Sequence, residues 1–188
     1  MRLFVALEIP SEVRENLVTL LRELRAVDPR PRWVRAENLH VTLKFIGHTA
    51  PERLEAIRGA LETVRSSAPV TLDFHGLGFF PNEKRPRVFW AAMGSSPNLA
   101  RIAADIETNL EKIGIPREQR EFSPHLTLAR FDDTQLSKEL VAAIQKQSAL
   151  EFGAFETWEF YLYESKLKHS GAEYVRLMSF PFVAEGRA

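Results

Sequence analysis

The order of apolar and polar positions divides this chain into short extended runs and amphipathic stretches. Residues 2–9 (RLFVALEI) form an almost continuous apolar run, which predicts a strand ended by Pro10. From Ser11 the apolar residues fall at Val13, Leu17, Leu20, Leu21 and Leu24, the spacing of a helix with one buried stripe. Residues 33–46 follow. Their later part sets Leu39, Val41, Leu43 and Phe45 against His40, Thr42 and Lys44, which predicts a half-buried strand. Thr49 to Glu52 reads as a capping box with proline in the first turn, opening a helix through Leu54, Ile57, Leu61 and Val64. A further strand is expected from Val70 to Phe80.

The pattern then restarts. Residues 87–93 (RVFWAAM) predict a strand. Ser96-Pro97 caps a helix whose stripe is Leu99, Ile102, Ile106, Leu110 and Ile113, closed by Gly114. Residues 121–131 supply the next strand, and Leu136, Leu140, Val141 and Ile144 mark another helix. Residues 152–163 and 173–183 read as a closing pair of strands around Gly171. The halves superpose at one offset of 85: Arg2 on Arg87, Phe4 on Phe89, Ala6 on Ala91, His40 on His125, Thr42 on Thr127 and Leu43 on Leu128. A gap-free register of this length indicates internal duplication. The expected fold is α+β, with two antiparallel-type sheets flanked by helices. The whole chain, 1–188, is expected to be one bilobal, pseudo-two-fold domain, with repeat halves about 1–84 and 85–188 sharing one cleft. The short charged stretch 81–86 does not read as a flexible linker.

Composition narrows the partners. With 45% hydrophobic and 27% charged residues the chain is ordinary globular material. Lys plus Arg and Asp plus Glu both number 25, so there is no basic excess for coating long nucleic acid, although a local basic pocket for one phosphate is still allowed. The absence of cysteine removes disulfides, thiolate zinc sites and a cysteine nucleophile. The first apolar run is too short to span a bilayer and carries Glu8, and a charged amphipathic stretch follows it. A cytoplasmic protein without membrane attachment is expected.

The chemistry points to two tetrapeptides, His40-Val-Thr-Leu43 and His125-Leu-Thr-Leu128. On a strand, residues i and i+2 share a face, so each His projects with its Thr while the flanking apolar residues enter the core. Two such strands facing each other would bring two imidazoles and two hydroxyls into one cleft. Imidazole titrates near neutrality, so one ring can serve as base while the other serves as acid. The threonine hydroxyls would hold anionic oxygens. The set fits in-line phosphoryl transfer without a metal, a cofactor or a covalent intermediate. No HExxH and no carboxylate cluster beside either histidine supports a metal site.

These residues resemble the two-histidine phosphoesterases, and in particular the RNA 2′,3′-cyclic phosphodiesterases, also called 2′-5′ RNA ligase-like proteins. The opening RLFVALEIP, RPRVFWA at 85–91, FSPHLTLAR at 122–130 and YESKLKHSGAEYVRLMSF at 163–180 extend the resemblance across nearly the whole chain. It implies a bilobal α+β fold with each His-x-Thr on an inner strand. It also implies opening of an RNA 2′,3′-cyclic phosphate to a 2′-phosphate, with His40 as proton donor and His125 as proton acceptor. Thr42 and Thr127 would then bind the non-bridging oxygens, and reverse 2′-5′ ligation would come with the same site. Symmetry of the repeat cannot assign acid and base; that division rests on the resemblance.

Arg130 is a further candidate phosphate ligand, yet simple alternation puts it on the Leu126 and Leu128 face, away from the site, unless the strand bulges. Phe4 and Phe89 are candidates for stacking on a base, against burial in the core as the commoner outcome. His48, His75 and His169 lack a Thr two residues on and read as surface or turn residues. Arg85, Arg87, Lys166 and Lys168 read either as guides for RNA or as a solvated rim. Two other functions stand beside the RNA end: a phosphodiesterase for a small cyclic nucleotide or ADP-ribose cyclic phosphate, and a binding module without turnover. A monomer is expected.

Overall fold

A computed structural model describes residues 1–132, 136–147, 149–169 and 171–181. Strand β1 (Arg2–Glu8) leads into helix α1 (Ser11–Val27); a two-residue strand β2 (Arg32–Trp33) and a short 3₁₀ turn (Ala36–Asn38) then precede β3 (His40–His48). After a second 3₁₀ turn (Pro51–Arg53) come α2 (Leu54–Leu61), β4 (Val70–Phe80), β5 (Val88–Ser95) and α3 (Asn98–Lys112). The chain closes with β6 (Leu126–Arg130), α4 (Lys138–Gln147), β7 (Glu151–Thr157), β8 (Glu159–Lys168) and β9 (Gly171–Pro181). These strands make two antiparallel sheets, β3-β1-β8-β9 and β2-β6-β5-β4-β7. The α+β expectation is met.

The repeat boundary near residue 84 does not separate the sheets. It falls inside the hairpin β4–β5, because the charged stretch 81–86 joins two neighbouring strands. β4 therefore belongs to the sheet of β5 and β6, whereas β8 and β9 return to that of β1 and β3. Helices cross over too: α1 packs on β7 and α4, while α3 packs on α2 and β3. Each sheet needs strands from both halves, and the core runs through both.

Sequence periodicity located most elements and missed some boundaries. Residues 33–46 do not form one strand, since the 3₁₀ turn interrupts them. Residues 152–163 split at Trp158 into β7 and β8, which lie in different sheets. Gly171 opens β9, and Phe182 and Val183 of the expected last strand lie outside the described residues. The caps also differ. Thr49 donates its hydroxyl to the Gly47 carbonyl at 3.4 Å instead of capping the following turn. Ser96 likewise makes no cap; it receives the Thr71 amide at 2.9 Å and donates to Asn98 Oδ1 at 2.6 Å, which ties α3 to β4. Gly114 does close α3, at φ 81, with its amide on the Glu111 carbonyl.

Beneath the five-stranded sheet, Asp28 fastens α1 to α4. Its carboxylate is 4% exposed and accepts Arg30 Nε at 2.9 Å, Arg30 Nη2 at 2.7 Å and Ser137 Oγ at 3.1 Å. The Arg30 side chain, opposed in part by burial, lowers its pKa from 3.8 to about 2. The stabilisation is therefore present above the ordinary carboxylate pKa and lost as pH falls through about 2. Asp28→Asn should cost about 2 kcal/mol at neutral pH. Urea unfolding of both proteins should show that gap closing between roughly pH 4 and pH 2; a gap of constant size would exclude the carboxylate as its source.

Candidate functional site

Both inner strands carry a bulge at the equivalent place. Opposite β1, Val5 pairs with Lys44 and Ala6 with Thr42, so Leu43 is the extra residue on β3. Opposite β5, Phe89 pairs with Ala129 and Trp90 with Thr127, so Leu128 is the extra residue on β6. Leu43 and Leu128 are related by the same offset of 85. A bulge puts two successive residues on one side and reverses alternation beyond it. Leu43 with Lys44, and Leu128 with Ala129, are accordingly all buried.

This corrects the reading of residues 39–45. Lys44, expected outside, is 4% exposed, and Phe45, expected inside, is 59% exposed. The bulge also decides Arg130. It moves the exposed guanidinium from the Leu126 and Leu128 face to that of His125 and Thr127. Arg130 has no hydrogen bond or ion pair among the described residues, and its charge acts on His40.

Each imidazole is pinned by its own backbone. His40 Nδ1–H donates to the Asn38 carbonyl at 2.7 Å, and His125 Nδ1–H to the Ser123 carbonyl at 2.8 Å. A carbonyl only accepts, so Nδ1 holds the proton and Nε2 of each neutral ring is left as the basic nitrogen. In the first half the Thr42 hydroxyl donates to His40 Nε2 at 3.0 Å. Asn38 is itself held, with Nδ2 donating to the Ala172 carbonyl of β9 at 2.8 Å.

The surroundings of the two rings differ. Phe4 lies under His40, ring centroids 4.9 Å apart, and Tyr174 meets it edge-on at 5.1 Å. Phe4 in turn stacks on Tyr163 at 5.3 Å. Desolvation by this packing lowers the His40 pKa to about 4; the Asn38 carbonyl opposes the shift, and the charges of Arg130 and His125 add to it. β3 and β6 approach each other directly, so His40, His125 and Arg130 share one electrostatic environment. His125 instead meets Phe80 edge-on at 5.1 Å, and Phe80 stacks on Trp90 at 5.0 Å. The Trp90 indole lies flat against Gly78, where a Cβ would collide with it.

Phe4 and Phe89 are thus not equivalent in space. Phe4 faces the cleft as a buried floor at 3% exposure, whereas Phe89 lies in the core at 0%. Neither presents a free face to a base, which corrects that candidacy. Phe45 does: it is exposed past the bulge, with its ring 6.1 Å from Phe4. Alternation concealed it. Tyr174 was also missed, because only the pairing of β8 with β1 brings the closing hairpin beside His40. His48, His75 and His169 are exposed, as expected. Among the rim residues, Lys166 pairs with Glu164 at 3.5 Å, Lys168 pairs with Glu173, and Arg87 donates to the Asp132 carbonyl at 3.0 Å; Arg85 is exposed. No group of three or more metal-ligating side chains occurs among the described residues, and none of their helices is long and apolar enough to cross a membrane.

Known proteins share this fold and much of this sequence. An RNA 2′,3′-cyclic phosphodiesterase of Archaeoglobus fulgidus is 35% identical over 96% of this chain and 99% of its own length. TT0787 of Thermus thermophilus superposes with a TM-score of 0.82 at 30% identity, covering 98% of this chain and all of that one. E. coli LigT in complex with 3′-AMP superposes with a TM-score of 0.79 at 27% identity, covering 96% and 97% of the two chains. Residues 10–167 match the family described as the 2′-5′ RNA ligase superfamily, and the chain belongs to that family.

Proposed function

We propose that this protein hydrolyses 2′,3′-cyclic phosphate ends of RNA to 2′-phosphate ends, with His40 and His125 as acid and base. The observation that carries the reading is the pair of imidazoles, each pinned through Nδ1 to the carbonyl two residues upstream. That pinning leaves two Nε2 atoms for proton transfer, at positions related by the repeat. The activity of the curated relatives supports the choice of reaction.

Water gives a proton to His125 Nε2 as its oxygen attacks phosphorus. The bond to the 3′ oxygen breaks, and His40 Nε2–H supplies the proton that this oxygen needs. Thr42, Thr127 and Arg130 hold the non-bridging oxygens, whose charge grows as the new bond forms. Nothing in this sequence of transfers requires a metal, and chelators should leave turnover unchanged. Ligation is the same chemistry reversed, with a 5′-hydroxyl in place of water. We further infer a cytoplasmic monomer, in which both sheets close one site within a single chain.

His40 must be charged to act as donor, yet the free protein holds it neutral at pH 7. A bound phosphate anion offsets Arg130 and the desolvation, and so restores the proton when substrate arrives. Phe45 offers an exposed ring on the cleft face for a nucleobase next to the phosphate. Stacking contributes about 1–3 kcal/mol per base, so Phe45→Ala should raise KM for an RNA substrate by roughly five-fold or more while changing kcat little.

The pH dependence follows from the same shift. Ring-proton NMR of the free protein should place the His40 titration near pH 4 and move it upward when a nucleoside 2′-phosphate binds. The bend that His40 contributes to kcat/KM should accordingly fall near pH 4, and it should vanish in His40→Ala. An ordinary titration near 6.5 in the free protein would contradict the desolvated site.

Leaving-group chemistry separates the two histidines. General acids and bases contribute about 10²–10⁴-fold each. A phosphodiester with an acidic leaving oxygen should recover most of the His40→Ala defect and little of the His125→Ala defect. Preferential rescue of His125→Ala would reverse the assignment. Assaying cyclic-phosphate-ended RNA beside a cyclic mononucleotide tells an RNA enzyme from a small-nucleotide phosphodiesterase, and no turnover of either would leave a binding module.

A further inference from the structure

Among the described residues Lys44 is the one buried cation, and the proton transfers do not use it. Its Nζ donates to Glu107 Oε2 of α3 at 2.7 Å and to the Pro116 carbonyl at 2.7 Å. The same Glu107 oxygen receives the Glu118 amide at 3.2 Å. The Lys44 side chain is 3% exposed and that of Glu107 16%, so water screens the pair poorly. Burying two charges is costly unless their bonds are well made, and a hydrophobic pair of similar size would often serve stability as well. Stability alone therefore gives weak reason for this pair.

Its position gives a better one. Lys44 follows Thr42 by two residues on β3, turned inward by the bulge at Leu43. Pro116 and Glu118 belong to the stretch 115–125, which has no regular secondary structure and ends in His125. That stretch is also held by the Ile115 amide on the Leu110 carbonyl at 3.0 Å, by the burial of Ile115 and the packing of Phe122 against the core, and by exposed contacts of Arg117 and Glu118. One buried ammonium thus joins the strand of the first motif to the segment that delivers the second. The offset of 85 places buried Ala129 opposite Lys44, so the strut exists on one side only.

We infer that Lys44 and Glu107 position His125 against the phosphate site formed by His40 and Thr42. This rests on the reading of His125 as the base. Small displacements of a positioned group cost up to about 10²-fold in rate, so the strut acts on kcat more than on substrate binding.

The test uses the full chain, a cyclic-phosphate-ended oligoribonucleotide, and Tm, kcat and KM as readouts. Lys44→Met leaves a buried carboxylate short of its partner and should lower both Tm and kcat. Adding Glu107→Gln removes that charge while keeping an acceptor for the Glu118 amide. The double variant should recover most of the Tm, keep a loss in kcat of about 10- to 100-fold, and hold KM within about two-fold. Placed on His125→Ala, the same two substitutions should cost less than about two-fold, because the group they position is gone. Wild-type kcat in the double variant would overturn the inference and make the strut purely structural. A loss that multiplies in full onto His125→Ala would also overturn it. Undiminished activity of His125→Ala by itself would instead remove the base assignment, and the inference with it.

Discussion

The extra residue at the equivalent place in each inner strand decides where the groups that follow the two motifs point. Without the bulges at Leu43 and Leu128, strict alternation would send Lys44 into the cleft, Phe45 into the core and Arg130 away from the histidines. With them, the residues before the bulge keep the His and Thr face, and the residues after it exchange sides. The rest of the site follows: a guanidinium beside His125 and Thr127, an exposed aromatic ring past Thr42, and an ammonium driven inward to α3. Both bulges fall at the same position of the sequence repeat.

Around this shared frame the halves have diverged, and the divergence separates their chemistry. Compared with β1 on β3, β5 sits one residue out of register on β6, which turns Phe89 to the core and Trp90 to the cleft. The first ring is enclosed by Phe4 and Tyr174 and lies near a guanidinium, so it sheds its proton readily in the free protein. The second faces the single edge of Phe80, and its Nε2 has no threonine partner among the described residues. With His40 as the proposed donor, a ring that charges only when an anion arrives would tie proton delivery to occupancy of the site. The same backbone tether would then serve opposite tasks because the packing around the two rings differs.

Much of this was legible in the sequence. β1, α1, β4 and the stripes of α1 and α3 follow directly from periodicity, since strong patterns over long segments leave few alternatives. His40, Thr42, His125 and Thr127 follow from the repeated motif, and the flanking segments identified the family. What was not legible depends on pairing. A bulge has no marker in HVTLKF or HLTLAR, because Leu43 and Leu128 are apolar and fit either side. The exchange of β4, β8 and β9 between sheets cannot be read from a one-dimensional repeat, which makes the halves look like separate lobes. The caps at Thr49 and Ser96 failed because both hydroxyls are engaged elsewhere, Thr49 on the Gly47 carbonyl and Ser96 between the Thr71 amide of β4 and the Asn98 side chain.

The exchange of elements has a mechanical consequence for catalysis. Two lobes joined by a linker would move apart along their cleft as separate bodies. Here the sheet of His40 contains β8 and β9 from the end of the chain, and the sheet of His125 contains β2 and β4 from its beginning. Asn38, two residues before the motif strand, is bonded to β9, and α3 from the second half lies against β3. Separating the two sheets would therefore have to undo the packing of α3 and of β6 on β3. Proton transfer between fixed groups and a small anion depends on distances held within a fraction of an ångström, and interleaving supplies that constraint through the core itself. The irregular stretch 115–125 is the part of the site that the sheets do not hold, and a buried charge anchors it. Along that stretch a buried ion pair, with Ile115 and Phe122 packed on the core, takes the place of strand pairing.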